Sequence, residues 1–142
     1  MIIVDTGVIV AAAVPKDRFN TQCKALLVRL RNQRESLLLP ATVAAEVGYM
    51  LSEYGGSELE VDFLRSVSNG VFQPVELLYD DYARMAELAE QYINFPLGTT
   101  DASVIAIAER LRIDTIATVD RRHFTAIRPK HVPAFSLLPE IL

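Results

Sequence analysis

Met1-Ile2-Ile3-Val4-Asp5-Thr6-Gly7-Val8-Ile9-Val10 opens the chain. The run Met1 to Val4 is rich in β-branched residues and reads as a short strand buried on both faces. Asp5 stops that run. From Thr6 or Gly7 to Val14 the pattern is a short helix, ended by Pro15. A buried strand thus feeds a helix directly, with a carboxylate at the junction.

The same arrangement returns near the other end. Thr115-Ile116-Ala117-Thr118-Val119 reads as a strand, and Asp120 follows it. Between these ends, helix and strand alternate. Thr21–Arg31 is a helix with Cys23, Leu26, Leu27 and Leu30 on one face. Leu37–Leu39 is a buried strand stopped by Pro40, which also suits the start of a helix over Ala41–Glu53. Gly55-Gly56 breaks that helix. Ser57, with Glu60 three residues on, matches a capping box for a helix ending near Gly70. Phe72–Val75 is a further strand. Asp80–Tyr92 is a helix with Tyr82, Met85, Leu88, Ala89 and Tyr92 on its apolar side. Gly98-Thr99-Thr100 leads into a helix from Asp101 to Leu111. Residues Arg121–Phe124 read as a turn, and Ala134–Leu137 as a last strand. Buried strands alternating with helices predict an α/β fold with a parallel sheet covered on both faces.

Composition agrees. The chain has 142 residues, 51% hydrophobic and 23% charged, which suits one compact soluble domain with a sizeable core. No apolar run reaches the ~18–20 residues of a membrane helix. The first residues do not read as a signal peptide, since Asp5 interrupts the apolar run and no basic segment precedes it. The single cysteine, Cys23, excludes an internal disulfide and a cysteine-based metal site. A buried thiol in a reducing cytoplasm is the expected state.

The net charge of −4 is unevenly spread. The first 45 residues and the last 41 are basic on balance, and the middle is strongly acidic. Asp5, Glu46, Asp101 and Asp120 stand apart, because each lies at the end of a buried element or at a helix margin. Without them the remaining acids equal the 14 bases. In a parallel α/β sheet, ligands bind beyond the carboxyl ends of the strands, where strand order reverses. Asp5 and Asp120 follow predicted strands. Asp101 opens a helix on the same side. Glu46 lies about one turn into its helix, within reach of that edge.

Each acid also has an ordinary structural role available. Asp5 could cap a helix, Asp101 could sit against a helix dipole, Asp120 could belong to a turn, and Glu46 could be a surface residue. The joint placement carries the argument. Two like charges ~4 Å apart repel by about 4 kcal/mol at an effective dielectric near 20. Four converging carboxylates therefore call for a cation, and an oxygen-only set suits Mg²⁺ or Mn²⁺.

Ile3-Val4-Asp5-Thr6, Glu46 within Pro40-x-x-x-Ala44-Ala45-Glu46-Val47, Thr99-Thr100-Asp101-Ala102 and Thr118-Val119-Asp120-Arg121-Arg122-His123-Phe124 together resemble the PIN-domain ribonucleases, and most closely the VapC toxins of prokaryotic VapBC toxin–antitoxin systems. The resemblance spans the whole chain in length and order. It implies a single three-layer α/β/α sandwich with a mostly parallel sheet of four to five short strands. It implies Mg²⁺- or Mn²⁺-dependent endonucleolytic cleavage of structured RNA such as tRNA or rRNA, a homodimer, and a VapB-like antitoxin partner forming a hetero-oligomer. Carried over by position, Asp5, Glu46, Asp101 and Asp120 are the site acids, with Asp5 and Asp101 nearest the metal. Thr6 and Thr118 are the supporting hydroxyls. Arg121 and Arg122 are candidate RNA contacts, with a solvated turn as the alternative. His123 reads first as a turn histidine beside a core Phe124. Gly7 stands where relatives often carry Ser or Asn, which removes a polar contact from the expected pocket. The helices around residues 42–53 and 57–68 carry Val47, Met50, Leu51, Tyr54, Phe63 and Leu64, enough apolar surface for a groove or dimer face.

Other acid-bearing α/β classes fit less well. A haloacid-dehalogenase-type phosphatase needs a second Asp where Gly7 stands. A receiver domain needs a lysine at a strand end, and Lys16, Lys24 and Lys130 are not so placed. No G-x-G-x-x-G or G-K-[ST] loop occurs for a nucleotide. A PIN-type nuclease of RNA maturation and a non-catalytic module of the same fold remain open at this level.

Overall fold

Strands and helices alternate along the computed structural model, which describes residues 1–142. In chain order they are β1 (Ile2–Val4), α1 (Thr6–Ala13), α2 (Asn20–Asn32), β2 (Leu37–Pro40), α3 (Ala41–Gly55), α4 (Ser57–Ser68), β3 (Gln73–Val75), α5 (Tyr79–Gln91), α6 (Thr99–Leu111), β4 (Thr115–Ala117), α7 (Arg121–Ala126) and β5 (Ser136–Leu138). The strands form one sheet in the order β3-β2-β1-β4-β5, and every pairing is parallel.

β1 is the first strand of the chain and the central one of the sheet. The chain first adds β2 and β3 on one side of it, then returns to add β4 and β5 on the other. Strand order therefore reverses between β1 and β4, whose register pairs Ile3 with Ile116 and Val4 with Ala117. Every residue of β1 and β2 is buried, so helices cover both faces of the sheet, as continuous apolar strands require. The core is one cluster of 33 buried residues.

α6 has an uncommon environment. Ala102 to Ala108 are all buried, without an outward stripe. A helix that is apolar all round belongs inside the protein, and here alanines at 102, 106 and 108 let neighbouring elements approach. α5 packs along one side of α6 and α3 along another. A buried ion pair holds α5 in place. Asp81, 3% exposed, accepts from Arg110 Nε at 3.0 and 3.1 Å and from the Leu78 N–H at 2.9 Å. Arg110 Nη2 also donates to the Glu76 carbonyl at 3.1 Å. These bonds satisfy a carboxylate that would otherwise be expensive to bury.

The same pair corrects the expected face of α5. Asp81, Met85 and Leu88 point inward, while Tyr82 is 55% exposed and Ala89 faces solvent. The Arg110 guanidinium turns the helix so that an acid enters the interior. Three other expectations also change. α4 begins at Ser57 itself, with Gly56 at φ 87° as its cap and no side-chain capping bond. α3 accordingly runs through Gly55, and Gly56 alone makes the break. The predicted turn after Asp120 is the helix α7, too short to show periodicity in sequence. Its first turn is fastened by Asp120, whose side chain accepts from the Arg122 N–H.

Candidate functional site

The four acids arrive at one edge from four different segments. Asp5 is the residue after β1 and precedes α1. Its backbone N–H donates to the Ala117 carbonyl at 2.9 Å, which continues the β1–β4 pairing one step past the strands. Asp120 follows β4 and caps α7. Asp101 lies in the first turn of α6, and Glu46 in the second turn of α3. The reversal of strand order between β1 and β4 brings these segments together.

Polar bonds around the acids are few and specific. Thr118, fully buried, donates from Oγ1 to Asp5 Oδ2 at 2.9 Å. The same hydroxyl accepts from the Asp120 N–H at 3.1 Å. With one proton to give, Thr118 spends it best on the charged oxygen, and so ties the first acid to the backbone of the last. Thr100 Oγ1 donates to Glu46 Oε2 at 2.9 Å. One turn on, Ser103 Oγ donates to the Thr100 carbonyl at 2.6 Å and meets the Thr42 hydroxyl. Because the Ser103 proton is used on Thr100, Thr42 is the donor in that second contact. A short chain of hydroxyls thus latches the start of α3 to the start of α6 and holds Glu46 beside Asp101.

Electrostatics show the crowding. Burial pushes the Asp5 carboxyl above its ordinary value, against the bonds from the Thr118 hydroxyl and the Thr6 N–H; Glu46 and Asp120 raise it further. Burial also pushes Asp101 up, to about 6, with Asp5 adding to the rise, His123 opposing it, and Asp120 and Glu46 adding again. Asp5 and Asp101 therefore each feel their acidic neighbours. Asp5 is 5% exposed; the Asp101 side chain is 20% exposed and that of Asp120 is 55% exposed. The cluster grades from a buried floor to an open rim.

These residues fit a hard divalent cation. All donors are oxygens, the two innermost carboxylates lack full compensation from the protein, and Thr6 Oγ1 is buried with no hydrogen-bond partner. No three acidic, histidine or cysteine side chains close into a cage of metal-ligand geometry. Such a cage is not required, because Mg²⁺ keeps several waters and takes only one or two protein carboxylates directly.

Thr6 departs from its expected role. Its side chain touches no acid, and only its backbone N–H supports Asp5. Arg121 is half-buried with Nη2 unpartnered, and Arg122 is exposed and stacked on Phe95 with Cζ 5.1 Å from the ring centroid. His123 was undervalued from sequence. Its Nδ1 lies 3.0 Å from Asp101 Oδ2 and 3.5 Å from Asp120 Oδ2, and its ring meets Phe95 edge to face at 5.1 Å. Neither ring nitrogen has a partner of hydrogen-bond geometry, yet Nδ1 stands within ion-pair distance of both acids and so links them. The sequence signal was weak: only its place three residues after Asp120, on what proves to be a helix, brings it round to the same side.

Gly7 also gains a structural reason. A Cβ there would stand 2.5 Å from Val119 Cγ2, so the branched Val119 fills the space of a polar side chain. Gly7→Ala is expected to destabilise the fold by about 1–3 kcal/mol through overpacking. Val119→Ala in the same chain should return most of that loss. Urea unfolding of the two single variants and the double variant measures the coupling; additive losses would show that the two positions do not compete for space.

Clefts elsewhere carry other chemistry. One of about 410 Å³ between α5 and α6 is lined by the Asp81, Arg84, Glu109 and Arg110 ion-pair network, and holds none of the four acids. Arg84 Nε there donates to Glu109 Oε1 at 2.6 Å.

The PIN domain model matches residues 2–128, a span containing all four acids. The chain belongs to the PIN-domain family. Ribonuclease VapC26 of Mycobacterium tuberculosis (strain ATCC 25618 / H37Rv) is 28% identical over 140 residues, covering 96% of this chain and 99% of that protein. Among solved structures, M. tuberculosis VapC20, described as a sarcin-ricin loop cleaving toxin, superposes with a TM-score of 0.72 at 17% identity, over 82% of this chain and 87% of its own. VapBC2 from Rickettsia felis, bound to a DNA fragment from its promoter, gives 0.66 at 17% identity, over 96% and 97%. At these identities the superpositions establish a shared fold: the all-parallel five-stranded sheet is that of PIN toxins. No helix of this PIN domain is long and apolar enough to cross a membrane.

Proposed function

We propose that this PIN domain is a Mg²⁺-dependent endoribonuclease, with Mn²⁺ as an alternative metal, and the toxin of a type II toxin–antitoxin pair that cuts structured RNA such as tRNA or rRNA. The convergence of Asp5, Glu46, Asp101 and Asp120 at the β1/β4 reversal carries the reading. The naming of the 28%-identical relative as a ribonuclease supports it.

Asp5 and Asp101 would hold the metal, since they are the most buried of the four and the least compensated. When bound, the metal neutralises phosphoryl charge and makes water acidic enough to attack at neutral pH. The chain's own residues do the rest. Thr118 fixes the rotation of the Asp5 carboxylate, in the manner of a hydrogen-bonded outer shell. Thr100 fixes Glu46, which would take the proton that the attacking water gives up. Asp120, at the open rim, completes the negative field, and His123 stands between it and Asp101 within ion-pair distance of both. The half-buried floor excludes bulk water and strengthens each of these interactions.

Partners follow from the surface. Val10, Val14, Met50 and Tyr54, with Lys16 and Asp17 at the side, line a groove of about 450 Å³ between α1 and α3. Tyr54 is 69% exposed and Tyr49 67%. Val47, Leu51 and Phe63, offered by sequence as part of this surface, belong to the core instead. The remaining apolar residues suit an amphipathic segment of a VapB-like antitoxin, and a homodimer would bury the other exposed side chains. A single cytoplasmic domain acting within this complex completes the reading.

Induction without an antitoxin, followed by sequencing of RNA 5′ ends, tests it. Growth arrest with discrete new ends is expected for the native chain, and neither for Asp101→Asn. New ends at the same sites in that variant would sink the proposal.

A further inference from the structure

Phe95, Arg122 and His123 form a unit that the metal chemistry does not use. Phe95 lies in the segment between α5 and α6, within Tyr92-Ile93-Asn94-Phe95-Pro96-Leu97-Gly98. Its N–H donates to the Tyr92 carbonyl at 2.9 Å, which folds the segment back as a turn. Its ring meets the His123 edge at 5.1 Å, and His123 in turn stands 3.0 Å from Asp101. The Arg122 guanidinium lies over the Phe95 ring, again at 5.1 Å. Phe95 is half-buried and Arg122 is exposed.

The placement of Arg122 is informative. An exposed arginine next to four acids would ordinarily swing to a carboxylate. Arg122 instead gives its backbone N–H to Asp120 and its side chain to an aromatic face. Its charge is held beside the acid cluster without being consumed by it. Guanidinium planes and aromatic rings are the surfaces on which unpaired RNA bases stack, and a guanidinium already supported from below by a ring presents a pre-oriented face. Ile93, 70% exposed, extends the apolar margin of the same segment.

We infer that Arg122, backed by Phe95, forms a stacking floor that positions the nucleobase next to the scissile phosphate and adds a modest base preference there through stacking strength. This rests on the ribonuclease reading above. The Arg122 guanidinium meets the neighbouring base, Phe95 acts through it as a positioning residue, and both leave the reacting atoms to the acids. Arg122 adds a cation for the flanking phosphate, and the Phe95–His123 contact fixes the distance from floor to metal acids.

The test uses the full chain and a pool of RNA hairpins with randomised loops, one loop position carrying 2-aminopurine. In the native protein, binding should quench the 2-aminopurine, and cleavage should show a base preference beside the cut. Phe95→Leu keeps the apolar contact with His123 but removes the π-face. It should lose the quench, raise KM about tenfold, change kcat less than about threefold, and flatten the preference. Phe95→Trp should restore quench and preference, and Arg122→Ala should resemble Phe95→Leu. A preference and quench untouched in both Phe95→Leu and Arg122→Ala would overturn the floor. If the native chain quenches but does not cut, the ribonuclease reading fails, and with it the placement beside a scissile phosphate, while base stacking on Arg122 and Phe95 stands. Loss of the quench in Phe95→Trp as well would mean the ring serves packing only, and would also overturn it.

Discussion

Asp101→Asn is expected to lower RNA cleavage about a hundredfold or more while making the metal-free protein more stable. The activity loss follows from removing one of the two carboxylates proposed to hold the metal, since even outer partners of a metal site are worth ten- to a hundredfold. The stability gain follows from the raised Asp101 carboxyl, about 6 against an ordinary 3.8. A group whose folded value exceeds its unfolded one stabilises the fold below the unfolded value, and that contribution is lost as pH rises through the folded one. Above pH 6 the ionised Asp101 thus costs the empty fold roughly 2–3 kcal/mol, somewhat discounted because the side chain retains contact with water. The neutral, isosteric Asn removes that cost. Melting of the metal-free variant at pH 7.5 should rise by roughly 5 °C. Near pH 4, where the native Asp101 is already protonated in the fold, the advantage should vanish. A variant that loses both activity and stability at pH 7.5 would show that Asp101 is a structural residue.

The second large effect concerns the cation. Mg²⁺ or Mn²⁺ at a hundred times its dissociation constant should stabilise the native chain by about 2.7 kcal/mol, by mass action alone. Because binding requires the carboxylates ionised, the effect should be small near pH 5 and grow through pH 6, following Asp101. Asp5, whose carboxyl is also raised by burial, should contribute in the same direction. Asp5→Asn and Asp101→Asn should each remove most of the response, and Glu46→Gln a smaller part. Thermal melts with metal and with chelator across pH 5–8 measure this. A full metal response persisting in both Asp variants would place the cation elsewhere on the protein.

Much of this architecture was legible because strong local signals coincide. Ile2–Val4 and Leu37–Leu39 are β-branched or aliphatic runs bounded by an acid or a proline, and both proved to be buried parallel strands. Asp5, Asp101 and Asp120 were legible as a group because the position of a strand end or helix start is a backbone property, independent of side-chain detail. What remained hidden depends on contacts across the chain. Asp81 faces inward on α5 through Arg110, a partner on another helix that no periodicity in 79–91 encodes. His123 joins the site only because Asp120 caps a helix that six residues are too few to advertise. Glu46 is held by Thr100, and that bond exists because Thr42 and Ser103 latch α3 to α6. Gly7 looked like a missing polar contact until Val119 was seen to occupy its space.

The bond from Thr118 to Asp5 joins residues 113 positions apart. Its consequence lies in the order of synthesis. A nascent chain presents Asp5 first, Glu46 and Asp101 later, and Asp120 last of the four, and β4 must pair with β1 before they share an edge. Contacts of such long sequence separation close late in folding. A partly translated or truncated chain ending before Thr118 therefore cannot assemble the cluster. The destructive activity proposed for this domain is therefore withheld until the segment carrying Thr118 and Asp120 has been made and β4 has paired with β1.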